Sequence, residues 1–299
     1  MEASLIYNPN SGGAKKVEAI ELMKALYDIG FDPVHRYTAN EDDLDKALEK
    51  ADGLIVAVGG DGTARAVATR LLERDNPLAV IPSGTANNIG RTLGIEGNPV
   101  ELIKGLADKT VCQYDVGKVS GPWGDKYFLE AMGFGLFADI LEDYDPGKGK
   151  SVARAAETVR DVLLDYDARN WEVTIDDHDI SGKFVALEVL NTKATGPRLN
   201  LAPDADPTDG KFDVVCVLEP EDVTLIDYAT SLMSGKFDEL SNVKRLTGTK
   251  VVLNWRGDPL HVDDEVQGRK DAQGDETRVQ VSIIPQALEV WLPKMGDND

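Results

Sequence analysis

The sequence predicts an α/β fold for its N-terminal part, a parallel sheet covered by helices, followed by a second, β-rich domain. Strand-like and helix-like segments alternate with short joins from the start of the chain to about Gln113. The strands in that part are apolar on both faces, as strands buried between two layers of helices are. Beyond Gln113 the pattern changes to one β run after another, separated by turns, which fits a β-rich domain better than continued βαβ winding.

Taken in order, ASLIYN (3–8) reads as the first strand. After a Gly-rich turn, residues 15–30 place Val17, Ile20, Met23 and Tyr27 on one helical face, with Gly30 suited to the C-terminal stop. A strand near 33–39 and a helix over 41–51, with Leu44, Ala47, Leu48 and Ala51 inward, lead to the uninterrupted apolar strand 53–58. A helix from about Thr63 to Glu73, the strand LAVIP (78–82) and a helix after SGTANN complete this part. Further on, 113–119, 126–132, 171–176, 183–191, 211–218 and 250–255 read as strands, while 151–166 and 221–233 carry helical patterns. Residues 132–140, MGFGLFADI, read as core strand, although an apolar channel lining has the same composition. Residues 285–293 are apolar enough to return and pack on the main body. The expected domains are 1–118 with a returning segment of about 286–299, and 119–285.

The chain has 299 residues, 42% of them hydrophobic, enough for two ordinary cores. Its start, MEASLIYNPN, is not a basic-then-apolar leader, and no apolar run reaches membrane-spanning length, so a soluble, cytoplasmic protein is expected. Cys112 and Cys216 sit in apolar surroundings without a CxxC and read as reduced core thiols. His35, His178 and His261 are scattered, which disfavours zinc. A net charge of -21 argues against nucleic acid as a partner and against docking on an anionic membrane by a polybasic stretch. The one basic local run is GKGKSVAR, 147–154.

The chemistry is concentrated in loops. GGDGT follows the strand 53–58 and opens a helix. Ligands of parallel sheets bind outside the carboxyl ends of strands, where glycines let backbone N–H groups approach an anion and a helix start adds positive potential. Asp61 would repel a phosphate unless it faces a metal, a hydroxyl or the N–H groups of a turn, so a magnesium-assisted phosphate site and a tight turn in which Asp61 caps the helix are both open readings. NPNSGG (8–13) and PSGTANN (82–88) follow two other strands of the same sheet, so three Gly-rich, hydroxyl-bearing loops converge on one edge. None matches GxxxxGK(S/T) or GxGxxG. Lys15 and Lys16, after the first loop, fit phosphate contact and a surface helix start equally.

These three loops, in this order, resemble the diacylglycerol kinase catalytic-domain family, which is related to the sphingosine and ceramide kinases and shares GGDGT with NAD kinases and phosphofructokinases. The resemblance spans nearly the whole chain. It implies an NAD kinase- and phosphofructokinase-like nucleotide domain with a β-sandwich-like domain after it, and an ATP-dependent, magnesium-requiring lipid kinase of lipid and phospholipid metabolism. By matching motif, Asn8, Pro9, Asn10, Ser11, Gly12, Thr38, Gly59, Gly60, Asp61, Gly62, Thr63, Ala64, Arg65, Ala66, Ser83, Gly84 and Thr85 would line the ATP site. LAPDADPTDGKFDVV resembles the segment that holds a structural magnesium, with the Asp209 side chain and carbonyls near Asp206 and Lys211 as ligands; without the family it is an Asp-Gly turn. HVDDEVQG resembles the family's Asp-Gly-Glu motif, making Glu265 the base for the acceptor hydroxyl, with Asp263 beside it and Asp61 completing the catalytic set.

This sequence departs from the family at two positions: Asp264 replaces the motif's glycine, with strain if that position takes positive φ, and Asn88 stands where diacylglycerol-specific members commonly have Asp. The expected partner is a lipid substrate, at a membrane surface or in dispersed form, without nucleic acid; a homodimer stays open. Two rival readings are an NAD kinase-like enzyme and a nucleotide-binding regulatory protein with lapsed catalysis.

Overall fold

The first strand, β1 (Glu2–Tyr7), is buried along most of its length because its apolar residues have helices on one side and neighbouring strands on both edges. The computed structural model describes residues 1–7, 18–38, 41–143, 166–219, 240, 242–268 and 277–294. Two compact units emerge, Met1–Val116 with Pro285–Asp299, and Gly117–Ile284.

In the first unit, β1 is followed by α1 (Ala19–Asp28), β2 (Asp32–Tyr37), α2 (Glu41–Glu49), β3 (Leu54–Gly59), α3 (Asp61–Leu71), β4 (Leu78–Pro82), α4 (Asn88–Thr92) and α5 (Pro99–Gly105). The strands run parallel in the order β2-β1-β3-β4. Each βα crossover returns the chain to the same edge, so the carboxyl ends of β1, β3 and β4 lie side by side: Tyr7 pairs with Val58, and Gly59 with Pro82. The core collects Leu5, Leu54, Val56, Ala79 and Ile81 from the sheet with Leu22, Leu26, Leu102 and Ile103 from the helices.

Three sequence expectations change here. The inward face of α1 is Leu22, Ala25 and Leu26, whereas Ile20 and Tyr27 are 72% and 70% exposed. An apolar residue every three or four positions fits both stripes; α5, against which α1 packs, selects the other one. That helix is itself additional: Asn98 accepts hydrogen bonds from Val100 N–H and Glu101 N–H, and Pro99 occupies the first turn, where it forfeits no bond. α3 begins at Asp61, two residues before the expected start. The predicted α2 face agrees, with Leu44, Leu48 and Ala51 buried and Ala47 half-buried.

The second unit starts within β5 (Thr110–Gly121) and continues through β6 (Gly124–Phe128), β7 (Ala131–Gly135), α6 (Leu136–Asp143), β8 (Arg169–Trp171), β9 (Val173–Ile175), β10 (His178–Asp179), β11 (Gly182–Leu190), β12 (Ala194–Thr195), β13 (Leu199–Asn200), β14 (Phe212–Leu218), β15 (Val243–Gly248), β16 (Lys250–Trp255), β17 (Leu260–Val262), β18 (Glu265–Gln267) and β19 (Thr277–Leu292). It is a sandwich. One layer holds β10-β9-β16-β19, the other β15-β14-β11-β7-β17-β18. Alternate residues of both layers meet in one core, Val173, Val251, Leu253, Val279 and Val281 from the first and Phe134, Leu187, Val189, Phe212 and Val214 from the second.

The expected strand 126–132 is two strands, β6 and β7, interrupted at Leu129 and Glu130. Residues 132–140 are strand only to Gly135, whose φ of +90° turns the chain into α6. Cys216 is a buried free thiol, but Cys112 is only half-buried, because residues at the start of β5 are largely solvent-facing. The helical expectations at 151–165 and 221–233, the basic run 147–154 and Lys15, Lys16 and Val17 lie outside the described residues. Among the described residues no helix is long and apolar enough to cross a membrane.

Candidate active site

In the first unit the chain winds from β1 outward to β2, then back across to β3 on the other side of β1. That reversal makes the carboxyl ends of β1 and β3 a topological switch point, the usual ligand position in open parallel sheets. The loop after β1, with Asn8, Pro9, Asn10, Ser11 and Gly12, lies outside the described residues. Thr38 is buried just past the end of β2, on the same edge.

The loops after β3 and β4 are laced together. Ser83 N–H donates to the Gly59 carbonyl at 2.8 Å. A Cβ on Gly84 would stand 2.5 Å from the Gly60 Cα, so the two main chains cross at a separation that only glycine permits. A Cβ on Gly59 would collide with the Thr63 side chain, which folds back over it. Asn87, at φ +55°, accepts from Gly84 N–H at 2.9 Å and donates to the Gly84 carbonyl at 3.0 Å, holding that glycine from its own side chain. Gly62, in the first turn of α3, and Thr85, in the loop after β4, are exposed, Arg65 and Ala66 are half-buried, and Ala64 is buried against the body of the unit.

Asp61 faces N–H groups, those of the loop after β4 and its own at the start of α3. Its carboxylate accepts from Ile89 N–H at 3.0 Å, in the first turn of α4. Burial pushes its carboxyl pKa up, opposed by the hydrogen bonds from the Ile89, Asn88 and Asn87 N–H groups. The aspartate of one loop thus ties down the other.

The second unit contributes a different kind of construction. β17 and β18 form a hairpin in which Val262 pairs with Glu265, leaving Asp263 and Asp264 as a two-residue turn. The left-handed residue is Asp263, at φ +50°, and not Asp264, so the expected strain falls one position earlier. Primed hairpin turns favour glycine at such positions, and Asp tolerates them better than most residues. Asp263 is compensated by its carboxylate, which accepts from Leu129 N–H at 3.1 Å, Glu130 N–H at 3.0 Å and Ala131 N–H at 3.1 Å. Those same bonds explain why β6 and β7 separate: their N–H groups are turned toward a carboxylate instead of a ladder. Asn191 N–H, at 2.8 Å, meets the Glu130 carbonyl in the gap. Glu265, next after the turn, is half-exposed, and its Oε2 accepts from Lys126 Nζ at 2.8 Å.

Asp206 and Asp209 lie in the turns before β14. The Asp206 carboxylate accepts from Thr208 N–H and Oγ1 at 3.0 and 2.7 Å, and the Asp209 carboxylate from Lys211 N–H at 2.9 Å. Burial, with the negative charges of Asp209 and Asp204, raises the Asp213 carboxyl pKa nearby. Among the described residues no group of three or more His, Cys, Asp or Glu side chains is arranged to hold a metal. A cation here would draw on one carboxylate, main-chain carbonyls and water, a donor set of hard oxygens that suits magnesium.

Residues 2–119 match the family described as the diacylglycerol kinase catalytic domain, and residues 148–292 match the YegS C-terminal NAD kinase beta sandwich-like domain. A Pseudomonas aeruginosa protein named "Probable lipid kinase YegS-like" is 30% identical over 257 residues, 84% of this chain and 80% of that one. The chain belongs to the diacylglycerol kinase catalytic-domain family. A Bacillus subtilis relative named diacylglycerol kinase is 29% identical over 278 residues, 86% of this chain and 89% of its own. A Bacillus anthracis crystal structure titled as a diacylglycerol kinase has a similar fold, with a TM-score of 0.68 at 20% identity, covering 97% of this chain and 96% of that one.

Within this lipid kinase family, the structure adds residues that sequence reasoning passed over. Asn87 and the Ile89 N–H organise the loops after β3 and β4, and the GTAN motif that contains Asn87 was their signal. Lys126, Glu188 and His261 gather around the hairpin from three strands. His261 adjoins the motif in sequence; Glu188 and Lys126 carry no local signal at all.

Proposed function

We propose that this lipid kinase family member transfers the γ-phosphate of ATP to a hydroxyl of a diacylglycerol-like lipid, in the cytoplasm, with Glu265 as the general base. The observation that carries the reading is the Asp263–Glu265 hairpin: a half-exposed carboxylate follows a turn whose aspartate is held by three N–H groups. A base must be both accessible and fixed to act within hydrogen-bonding reach of a hydroxyl proton. Asp263 supplies the fixing; its own carboxylate is committed to the main chain. Lys126 holds the resting Glu265 and would yield one carboxylate oxygen to an incoming hydroxyl.

On the nucleotide side, the phosphates would meet backbone N–H groups at the start of α3, and the crossing at Gly60 and Gly84 keeps side chains out of their way. Asp61 then acts as the tie that sets the second loop against the first. Magnesium would be held at Asp209 with carbonyls near Asp206 and Lys211, and when bound it supplies rigidity to the turns before β14.

The test is transfer of labelled γ-phosphate from ATP with magnesium to detergent-dispersed diacylglycerol, monoacylglycerol, phosphatidylglycerol, ceramide and sphingosine. Labelled diacylglycerol or a close analogue is expected. ATP binding without transfer to any lipid would overturn the reading.

A further inference from the structure

Gly133, on β7, pairs with Glu188 of β11 on one side and with His261 of β17 on the other. Lacking a side chain, it leaves room for its two neighbours to meet across it, and a Cβ there would collide with the Glu188 carboxylate. His261 Nε2 lies 2.7 Å from Glu188 Oε2, and Nδ1 lies 2.9 Å from the Asp263 carbonyl oxygen. The two side chains are 0% and 3% exposed. The Phe137 ring, from α6, stands T-shaped to the imidazole with 5.0 Å between ring centroids.

A carbonyl oxygen only accepts, so Nδ1 carries a proton. The contact between Nε2 and Glu188 holds a second proton. Burial pushes the His261 pKa down, but the Glu188 carboxylate, the Asp263 carbonyl and the Asp263 charge outweigh it, and the net direction is up. That direction favours the imidazolium form, which donates at both ends. Replacing buried ion pairs by apolar residues is often neutral or stabilising, so stability alone does not account for one in this core. What it touches does. The Asp263 backbone sits at positive φ, a conformation that persists only where its surroundings over-determine it.

We propose that His261 and Glu188 are positioning residues for Glu265. They grip the Asp263 carbonyl from inside the sandwich while the N–H groups of residues 129–131 grip its carboxylate, so the turn is fixed at both ends and the base two residues on is fixed with it. The role given to Glu265 rests on the kinase reading; the grip itself does not.

Selective 15N labelling of histidine in the intact protein at neutral pH is expected to show a protonated Nδ1 on His261, and a bare Nδ1 overturns the proposal. A His261→Leu, Glu188→Leu double variant leaves no buried charge uncompensated and is expected to fold. Its kcat should fall roughly ten- to hundredfold with the KM for ATP unchanged, the signature of a displaced catalytic group. A lowered Tm with kcat intact would make the pair merely structural. Should that variant not fold, His261→Asn, whose amide nitrogen can replace Nδ1, is expected to keep at least tenfold more activity than His261→Gln; equal activities overturn the proposal. If the wild-type protein phosphorylates no lipid, the kinase reading fails by itself. Amide exchange at Leu129, Glu130 and Ala131 then decides the grip, with acceleration of at least tenfold in the variants expected and unchanged exchange overturning it.

Discussion

The two candidate site regions, one in each unit, are built by opposite means. In the first unit the loops after β3 and β4 come together because side chains are missing: Gly60 and Gly84 let two main chains touch, and the resulting edge offers backbone N–H groups. In the second, the hairpin is held by an excess of charged side chains in a core, with Asp263, His261 and Glu188 all nearly or fully buried. A nucleotide's phosphates can be bound by any well-placed N–H groups, so bare backbone suffices. A proton acceptor must be a particular side chain in a particular place, and placing it takes a scaffold of its own.

Substitutions can break that contrast, the largest effect first. Under the proposed mechanism Glu265→Ala should lower turnover by about 10²- to 10⁴-fold while equilibrium binding of ATP stays unchanged. Unchanged turnover would strike Glu265 from the mechanism. Gly84→Ala should do the reverse. Its Cβ must displace the Gly60 backbone, so ATP affinity is expected to fall at least tenfold in calorimetry, with a stability loss of about 1–3 kcal/mol. If ATP binds Gly84→Ala normally, the crossing of the loops has no bearing on the nucleotide.

Asp263→Asn replaces one of the two accepting oxygens by an NH2 that faces an N–H group and should cost about 1.5–3 kcal/mol in urea unfolding. Asp61→Asn is expected to have the smallest effect, because an amide oxygen can still accept from Ile89 N–H; ATP affinity should change by less than about threefold. Its pH dependence sharpens the point. Burial raises the Asp61 carboxyl pKa above the ordinary 3.8, so the native state takes up its proton before the unfolded chain does as pH falls. The wild type should therefore gain stability relative to Asp61→Asn as pH drops from neutral toward the ordinary value. A gap that moves the other way in paired thermal melts would mean that the N–H groups of α4 outweigh the burial.

Much of the fold was legible because its signals are local. The apolar runs at 54–59 and 78–82 have one good solution, a doubly covered strand, and they form β3 and β4. α1 was legible as a helix but not in its facing, since which stripe goes inward depends on α5, some seventy residues later. The Asn-Pro signal that opens α5 was in the sequence and was passed over. The break between β6 and β7 depends on a carboxylate more than 130 residues away and has no local trace. The same holds for Glu188 and His261, which become partners only because Gly133 lies between them in register. Residue types near a motif can be read from the chain; what grips the motif from below cannot.

The last strand, β19, has a consequence for how the protein is made. Its later residues belong to the first unit, where Val290 pairs with Leu78 and Trp291 joins the core. A ribosome that adds about 5–20 residues per second releases the first 116 residues roughly ten to thirty seconds before that strand emerges. During that interval the nascent N-terminal sheet waits with β4 as a bare edge and a hole where an indole belongs. The sandwich waits for the same strand, since Val279 and Val281 fill its core, so one late segment completes both units.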